Sequence, residues 1–270
     1  MPRARTTTSL AGPALGAAAL VGAGWALDAW LRDRRLRSTH RILVDLLLNA
    51  LTADDPGTAR HSRRVADLSF VLAETACLPR RERATLRVAA LLHDMGKIDD
   101  RFFHIVHSRR PLTPEQRAEI KHHPHQSAHI LEPMEPLHPG IIAIVSSHHE
   151  CWDGSGYPRG LAGGDIPLGA RIIALADVFD ALTQPRKYRG PLPVDEALDE
   201  IGKGSGRQFD PGLVRLLDAW PVADRWAEIA CNGRVEERLA AAEGDEEDEE
   251  EDDDLSPAPP APSAVPAGAG

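Results

Sequence analysis

The feature that most constrains the fold of this chain is a set of potential metal ligands on the apolar faces of predicted helices. Apolar residues at spacings of three and four mark five such helices, and a histidine or an aspartate continues each apolar stripe. The ligands on these stripes are His61, His93 with Asp94, His123, His148 with His149, and Asp177. One buried histidine is usually a satisfied core residue, but a set of this size on inward faces is costly to bury unless its members meet.

Convergence on metal ions would offset this cost. The set holds imidazoles and carboxylates without a thiolate, a combination that suits iron, manganese or zinc in a catalytic site better than a structural zinc site. The carboxylate of Asp94 has two oxygens and could bridge two ions, and a two-metal site can make hydroxide from a bridging water and clamp a phosphate. Lys97 follows three residues later and could neutralise phosphate oxygens.

The histidine pair at residues 148 and 149 is followed directly by a polar, glycine-rich loop that ends in Tyr157–Pro158. Adjacent residues on a helix point about 100° apart, so this pair could reach two neighbouring points, such as two metal ions. Gly154 and Gly156 permit tight turns and a close approach of the backbone to a ligand. The alternative interpretation is an exposed histidine pair in front of a surface loop.

The region from residue 39 to residue 235 is predicted to be an all-α domain. No segment shows the alternation that is typical of a strand, and an aromatic content of 4% points to aliphatic helix packing. Thr113–Gln116 has the form of a capping box that opens one helix running through His123. Pro139 opens a helix that carries His148 and His149 on its faces.

Cysteine usage and charge exclude several classes of protein. Cys77, Cys151 and Cys231 are an odd, widely spaced set, which indicates neither a disulfide framework nor a zinc-binding pair. Eleven acidic residues lie between positions 243 and 254, and removing them from the net charge of −10 leaves +1. No surface for a nucleic-acid polymer is indicated, and residues 236–270, acidic and then rich in Pro and Ala, are predicted to be a disordered tail. An acidic interaction segment is the alternative interpretation of that tail.

Residues 1–38 form a separate N-terminal segment. Leu10–Leu27 contains no charged residue and approaches the length of a membrane-spanning helix. Arginines are more numerous after this run than before it, which places the following domain in the cytoplasm by the positive-inside tendency. We therefore expect a cytoplasmic domain anchored to the membrane by one helix. A signal peptide and a weakly ordered arm are the alternatives.

Two blocks of sequence together resemble a known family. HDMGK at His93–Lys97 and HHECWDGSGYP at His148–Pro158 are similar to the motifs of the HD-GYP family, a branch of the HD-domain metal-dependent phosphohydrolases. The resemblance extends from about Asp55 to Asp210 and includes the block LAGGDIPL at Leu161–Leu168. The His-Asp pair alone would be a weak signal, whereas the extended Gly-Tyr-Pro block in this order is highly specific.

The resemblance implies ligands for two divalent ions, iron or manganese in preference to zinc. One ion would be held by His61, His93 and Asp177, the other by His123, His148 and His149, and Asp94 would bridge them. Lys97 and Asp94 would be the catalytic residues, with Lys97 on the scissile phosphate. Tyr157, Arg186 and Arg189 would hold the nucleotide; a salt bridge within the loop is the alternative role for the two arginines.

The resemblance further implies that the chain is a cyclic di-GMP phosphodiesterase that releases linear pGpG, GMP or both through a metal-bridging hydroxide. Two alternatives stay open, namely a cyclic di-GMP receptor with little turnover and a hydrolase of another cyclic dinucleotide. Some family members bind a third metal through a glutamate at the position of Gly57, so two ions are expected here. The segment Asp99–Arg110 departs from the family pattern, and Ser127 replaces a common glycine. The protein partners that the resemblance suggests are signalling proteins and a second copy of the chain.

Overall fold

The computed structural model describes residues 28, 31, 42–49, 56–99, 101–102, 105, 108, 111–185, 190–219 and 221–235. The helices are α1 (Pro56–Thr75), α2 (Arg80–Leu92), α3 (Pro114–Ile120), α4 (His123–Leu131), α5 (Ile141–Ser146), α6 (Leu168–Thr183), α7 (Val194–Lys203) and α8 (Pro211–Leu217). Residues 42–49 and 222–235 are also helical. The all-α prediction is confirmed, because the described ranges contain no strand and show only an isolated bridge between Ser205 and Phe209.

The hydrophobic core is built around α1, which packs against α2, α6 and α8. The apolar stripe of α1, with Val65, Leu68 and Leu72, is buried. Burying each such side chain contributes about 1.5–3 kcal/mol relative to leaving it exposed. Because α1 and α6 lie side by side in this core, the polar residues that each helix carries near one end are brought to the same place.

The helical residues 222–235 close the core on the side of α1 and α6. The indole N–H of Trp226 donates a hydrogen bond to the carbonyl of Leu68 at 3.1 Å, and its ring lies 4.8 Å from that of Phe179. Trp226 is fully buried, so its one polar atom needs this partner. Trp226 thus fixes this segment to the rest of the domain.

The segment predicted as one helix from Thr113 through His123 is two helices in the structure. The capping box is present, since Thr113 Oγ1 accepts from Gln116 N at 3.2 Å and Gln116 Oε1 accepts from Thr113 N at 3.0 Å. The helix nevertheless ends at Ile120. Pro124 lacks the N–H that would bond to the carbonyl of Ile120, and its ring would clash with that oxygen. The chain therefore turns and starts α4 at His123.

The prediction that His148 and His149 lie on the faces of a helix is wrong in its local structure. Helix α5 begins at Ile141 after Gly140, whose φ of 87° suits a residue without a side chain. It ends at Ser146, so both histidines lie in the turn that follows.

Two predicted segments lie outside the described residues, namely the apolar run 10–27 and the tail 236–270. Among the helices that the structure does describe, none combines the length and the apolar character needed to cross a membrane.

Candidate metal centre

The predicted ligands gather into two adjoining sets, called here the first and the second donor group. The first donor group is His61 on α1, His93 at the end of α2 and Asp177 on α6, with one ligand atom of each within 4.8 Å of the others. His61 Nε2 lies 3.3 Å from Asp177 Oδ1, and the rings of His61 and His93 are 5.5 Å apart. Residues on or next to three helices thus supply one potential site with three ligands.

The second donor group is Asp94, His123, His148 and His149, again with ligand atoms within 4.8 Å of one another. The Nε2 atoms of His123 and His148 are 3.3 Å apart, and the rings of His148 and His149 are 4.1 Å apart. The two groups adjoin, since the rings of His93 and His148 lie 5.1 Å from each other.

Asp94 stands between the two groups, and its two oxygens face in different directions. Oδ1 lies 3.2 Å from His123 Nε2 and 4.0 Å from His148 Nε2, both in the second group. Oδ2 lies 3.5 Å from His93 Nε2 in the first group and 2.5 Å from the ammonium of Lys97. This carboxylate is thus placed so that each oxygen could bind a different ion.

Three of the histidines are oriented by the same device. The Nδ1 atoms of His93, His123 and His148 contact the carbonyls of Ala90, Ile120 and Val145 at 2.8, 2.7 and 2.6 Å. Each carbonyl lies in the last turn of a helix, where it has no intrahelical partner. Because a carbonyl only accepts, Nδ1 carries the hydrogen in each ring, and Nε2 faces the site with a free lone pair.

His61 is held by a carboxylate instead of a backbone carbonyl. Its Nδ1 lies 2.7 Å from Asp180 Oδ2, and Asp180 in turn receives hydrogen bonds from Nε and a terminal nitrogen of Arg64 at 2.6 and 3.1 Å. The sequence reasoning assigned no role to Asp180 or Arg64. Their spacing was the available signal, because Asp180 follows Asp177 and Arg64 follows His61 by three residues, one helical turn along the same face.

The pKa of His61 shifts in the opposite direction from those of His93, His148 and His149. Burial lowers the pKa of His61, but its hydrogen bonds to Asp177 and Asp180 outweigh burial and raise the pKa to about 9. In the second group burial lowers the pKa of His148, and it lowers that of His149 to about 3. Burial also lowers the pKa of His93.

The carboxylates stay ionised despite their burial. Burial raises the pKa of Asp94, but Lys97 and the neighbouring imidazoles hold it well below its ordinary value. For Asp177, the hydrogen bond from His61 outweighs burial in the same way and lowers the pKa. Carboxylates and imidazoles without a thiolate are a donor composition that suits a catalytic metal site.

The arrangement of lone pairs fits divalent cations. Asp94 Oδ1 and His93 Nε2 are buried and have no hydrogen-bond partner among the described residues. With their Nδ1 atoms donating to carbonyls, His123 and His148 also present two acceptor nitrogens only 3.3 Å apart. Acceptors that face each other without a hydrogen between them are unfavourable in a buried site, and a cation bound among them removes the conflict.

The loop after the histidine pair is fixed from inside. Glu150 is buried, and its two carboxylate oxygens accept the backbone N–H groups of Arg159 and Leu161 at 2.8 and 3.0 Å. Gly156 is required by close packing, since a Cβ there would lie 2.2 Å from the backbone nitrogen of Cys151. The sequence reasoning noticed Gly156 but gave Glu150 no role.

Tyr157 closes this loop over the second donor group. Its ring stacks on that of His149 at 4.9 Å between centroids. Burial raises the pKa of its hydroxyl, which therefore stays protonated and can donate a hydrogen bond. A cavity of about 280 Å³ opens here, lined by His148, His149, Asp177, Tyr157 and other residues of the loop, and gives access to the ligand atoms.

The turn that carries Lys97, called here the lysine turn, packs against α4 through Gly96. The backbone N–H of Gly96 donates to Ser127 Oγ at 2.8 Å, and a Cβ at Gly96 would lie 2.4 Å from the carbonyl oxygen of His123. This close approach places the turn that carries Lys97 against the helix that carries His123. Of the predicted substrate contacts, Lys97 and Tyr157 lie at the site, whereas Arg186 and Arg189 lie outside the described residues.

The chain is similar in sequence to several known proteins. A family model described as HD domain matches residues 45–213. The chain is 39% identical over 185 residues to 3'3'-cGAMP-specific phosphodiesterase 2 of Vibrio cholerae. The matched region covers 67% of this chain and 35% of that protein. It is 40% identical over 175 residues to a cyclic di-GMP phosphodiesterase of Thermotoga maritima, covering 63% of this chain and 47% of that one.

The structural comparison concerns the fold. A crystal structure of a cyclic GMP-AMP specific phosphodiesterase of V. cholerae has a TM-score of 0.50 and 22% identity, covering 69% of this chain and 53% of the other. The chain spans about a third to a half of the length of the curated relatives that it matches.

Proposed function

This chain belongs to the HD domain family and is of the HD-GYP type, and from that premise we propose that it is a metal-dependent phosphodiesterase acting on cyclic dinucleotides. The favoured substrate is cyclic di-GMP, with linear pGpG, GMP or both as products. One observation carries the proposal: two buried or partly buried donor groups adjoin, and a single carboxylate, Asp94, turns one oxygen to each of them.

We propose two divalent ions, iron or manganese in preference to zinc, one in each donor group. When bound, such ions supply positive charge to phosphate oxygens and lower the pKa of a water molecule. Asp94 turns one carboxylate oxygen to each donor group. The histidines whose Nδ1 atoms are bound to backbone carbonyls keep their Nε2 lone pairs directed at the centre.

Lys97 is proposed to contact the scissile phosphate. It is partly exposed, its ammonium lies 2.5 Å from Asp94 Oδ2, and this position is at the junction of the two donor groups. A fixed ammonium there stabilises the negative charge that builds up on the phosphate oxygens. Tyr157 is proposed to orient the nucleotide through its hydroxyl, and Arg186 and Arg189 to bind its phosphates.

A second substrate, 3'3'-cGAMP, is supported by a specific observation. A curated relative that is 39% identical to this chain is named as specific for that dinucleotide, whereas one that is 40% identical is named for cyclic di-GMP. Because the chain is similarly identical to both kinds of enzyme, sequence identity does not distinguish cyclic di-GMP from 3'3'-cGAMP as the substrate. Both dinucleotides are therefore tested in the same assay.

The test is hydrolysis of each dinucleotide by the full chain loaded with Mn²⁺ or Fe²⁺, with products separated by chromatography. We expect pGpG or GMP from cyclic di-GMP with the wild type. His93→Ala should be inactive because it removes a ligand of the first donor group. His129→Ala is the matched control, since that histidine is 70% exposed on α4 and should leave the activity intact. Tight binding without product would identify a receptor instead, and cleavage that survives His93→Ala would contradict the proposed site.

The location of the protein is a separate proposal that rests on the apolar run 10–27. We propose that this run anchors the domain to the cytoplasmic membrane. Fractionation of expressing cells tests it: the wild type should sediment with membranes, and Leu20→Arg should release it. Wild-type protein recovered in the soluble fraction would contradict the anchor without affecting the enzymatic proposal.

A further inference from the structure

A second cavity adjoins the one that opens on the donor groups. It has a volume of about 500 Å³, and Arg117, Lys121 and His122 lie along it together with Tyr157. Lys121 and Tyr157 line both cavities, so they form the partition between them. We call the cavity at the metal centre the inner cavity and its neighbour the outer cavity.

We infer that the outer cavity binds the second nucleotide of the cyclic dinucleotide, with Lys121 and Arg117 on its phosphate, an inference that rests on the proposed function. A cyclic dinucleotide carries two phosphodiesters on one ring. When one of them lies at the metal centre, the other and its nucleoside extend away from it. The outer cavity, which shares Lys121 and Tyr157 with the inner one, is the adjoining space that can receive them.

The volumes support this division. The inner cavity, at about 280 Å³, is at the lower limit of the roughly 300–1,000 Å³ that ligand sites occupy. Together with the outer cavity, at about 500 Å³, it falls well within that range. The outer cavity thus adds adjoining space, in which the part of a dinucleotide outside the inner cavity can lie.

The charges of the outer cavity suit a phosphate. Arg117 at the end of α3 and Lys121 just after it are exposed cations. Among the described residues no carboxylate lies within ion-pair distance of either one. Charge-assisted hydrogen bonds from an arginine and a lysine are a common means of phosphate recognition.

The partition links this cavity to the metal centre physically. The ammonium of Lys121 lies 5.2 Å from the centroid of the Tyr157 ring, and that ring stacks on His149 of the second donor group. The break between α3 and α4 produces this placement, because the chain that ends α3 turns at Lys121 before His123 enters the metal centre. A single turn therefore carries one residue of each compartment.

The test compares two substrates on Lys121→Gln and Arg117→Gln in the full, metal-loaded chain. The substrates are cyclic di-GMP and bis(p-nitrophenyl) phosphate, a diester that lacks a second nucleotide. We expect the ratio of kcat/KM for cyclic di-GMP to that for the small diester to fall about tenfold or more in each variant. The loss should lie in KM, with metal content unchanged, and Lys121→Arg should recover most of it.

Lys203→Gln is the control, because that lysine is 69% exposed, pairs with Glu200 and lines neither cavity. An equal loss on both substrates, or an unchanged KM for cyclic di-GMP in both variants, would overturn the outer-cavity assignment alone. If wild type binds cyclic di-GMP without turnover, the same comparison is made on Kd by calorimetry. A wild type that cleaves the small diester but neither binds nor cleaves a cyclic dinucleotide would instead contradict the proposed function, and the outer-cavity assignment with it.

Discussion

The two donor groups share one centre, but the first contains a histidine, His61, that is held differently from His93, His123 and His148. In the first group, His61 is oriented by a charged pair of side chains, Asp180 with Arg64. In the second group, His123 and His148 are oriented by backbone carbonyls at helix ends. The first arrangement places negative charge behind the imidazole, and the second places only a dipole there.

This difference sets the protonation of each group in the metal-free protein. The carboxylates around His61 outweigh its burial and raise its pKa to about 9, so it carries a proton at neutral pH. His149 has no such support, and burial lowers its pKa to about 3. A metal ion entering the first group must therefore displace a proton, whereas His148 and His149 of the second group are already neutral. Mutations should expose this contrast, beginning with the residue that the groups share.

Asp94→Ala is expected to have the largest effect, because it removes a ligand from both groups at once. Hydrolysis of cyclic di-GMP should fall below detection, and the metal content should drop at both positions. Elemental analysis of the purified variant beside an activity assay checks this. Asp67→Ala, at a half-exposed aspartate that pairs with Arg87, is the control and should retain both. Full metal content in Asp94→Ala would show that this carboxylate is not shared between the groups.

Asp180→Asn should act on the first donor group alone. The amide keeps an oxygen for the Nδ1–H of His61 but loses the charge behind the ring. Loss of such support typically costs 10–100-fold in metal affinity, so we expect a decrease of about that size for one ion. Metal titration by calorimetry distinguishes the two sites. Equal weakening of both ions, or of neither, would break the proposed division.

The proposed metal ligands were predictable from the sequence to different degrees. Polar residues on apolar stripes indicated that His61 and Asp177 turn inward, and the resemblance supplied their grouping. The local structure of His123 and His148 was predicted incorrectly. The apolar periodicity continues past Pro124 and so predicts an uninterrupted helix. The helix ends at Ile120 instead, because Pro124 has no N–H to donate to the carbonyl of that residue. The error placed His123 in the middle of a helix, while its position at a helix junction is what frees a carbonyl to orient the ring.

The residues to which the sequence analysis gave no role are those that orient or support other residues of the site. Asp180, Arg64 and Glu150 bind no ion in the proposed site, and each is identified only by what it touches. A periodic pattern shows that a side chain points inward but not which partner it meets across 116 residues of chain, as Arg64 meets Asp180. A periodic pattern could not predict the outer cavity either, because this cavity forms between the turn at Lys121 and the distant loop at Tyr157.

The titration of His61 in the metal-free protein sharpens the contrast in protonation. Its folded-state pKa is raised, so the charged form contributes stability that is fully present below the ordinary pKa of 6.5 and is lost as the pH rises through about 9. Histidine-selective NMR should show His61 titrating near pH 9, with His149 neutral down to about pH 3. A His61 that titrates near its ordinary value would remove the proposed difference between the groups.

Ser127→Ala should have the smallest effect and should act beside the second group. It leaves the buried N–H of Gly96 without its acceptor, which costs about 1–3 kcal/mol in the free energy of unfolding. Chemical denaturation measures this change, and metal content should be retained because Ser127 binds no ion. Ser146→Ala is the control, since its hydroxyl is exposed and bonds only within its own turn. Unchanged stability would show that Ser127 does not seat the lysine turn.

The most direct measurement of the central claim is anomalous diffraction at a metal absorption edge, from crystals of the manganese- or iron-loaded protein. The account predicts two peaks, one among His61, His93 and Asp177 and the other among His123, His148 and His149, with Asp94 between them. Peaks located elsewhere on the protein, or none at these side chains in a protein that hydrolyses its substrate, would contradict it.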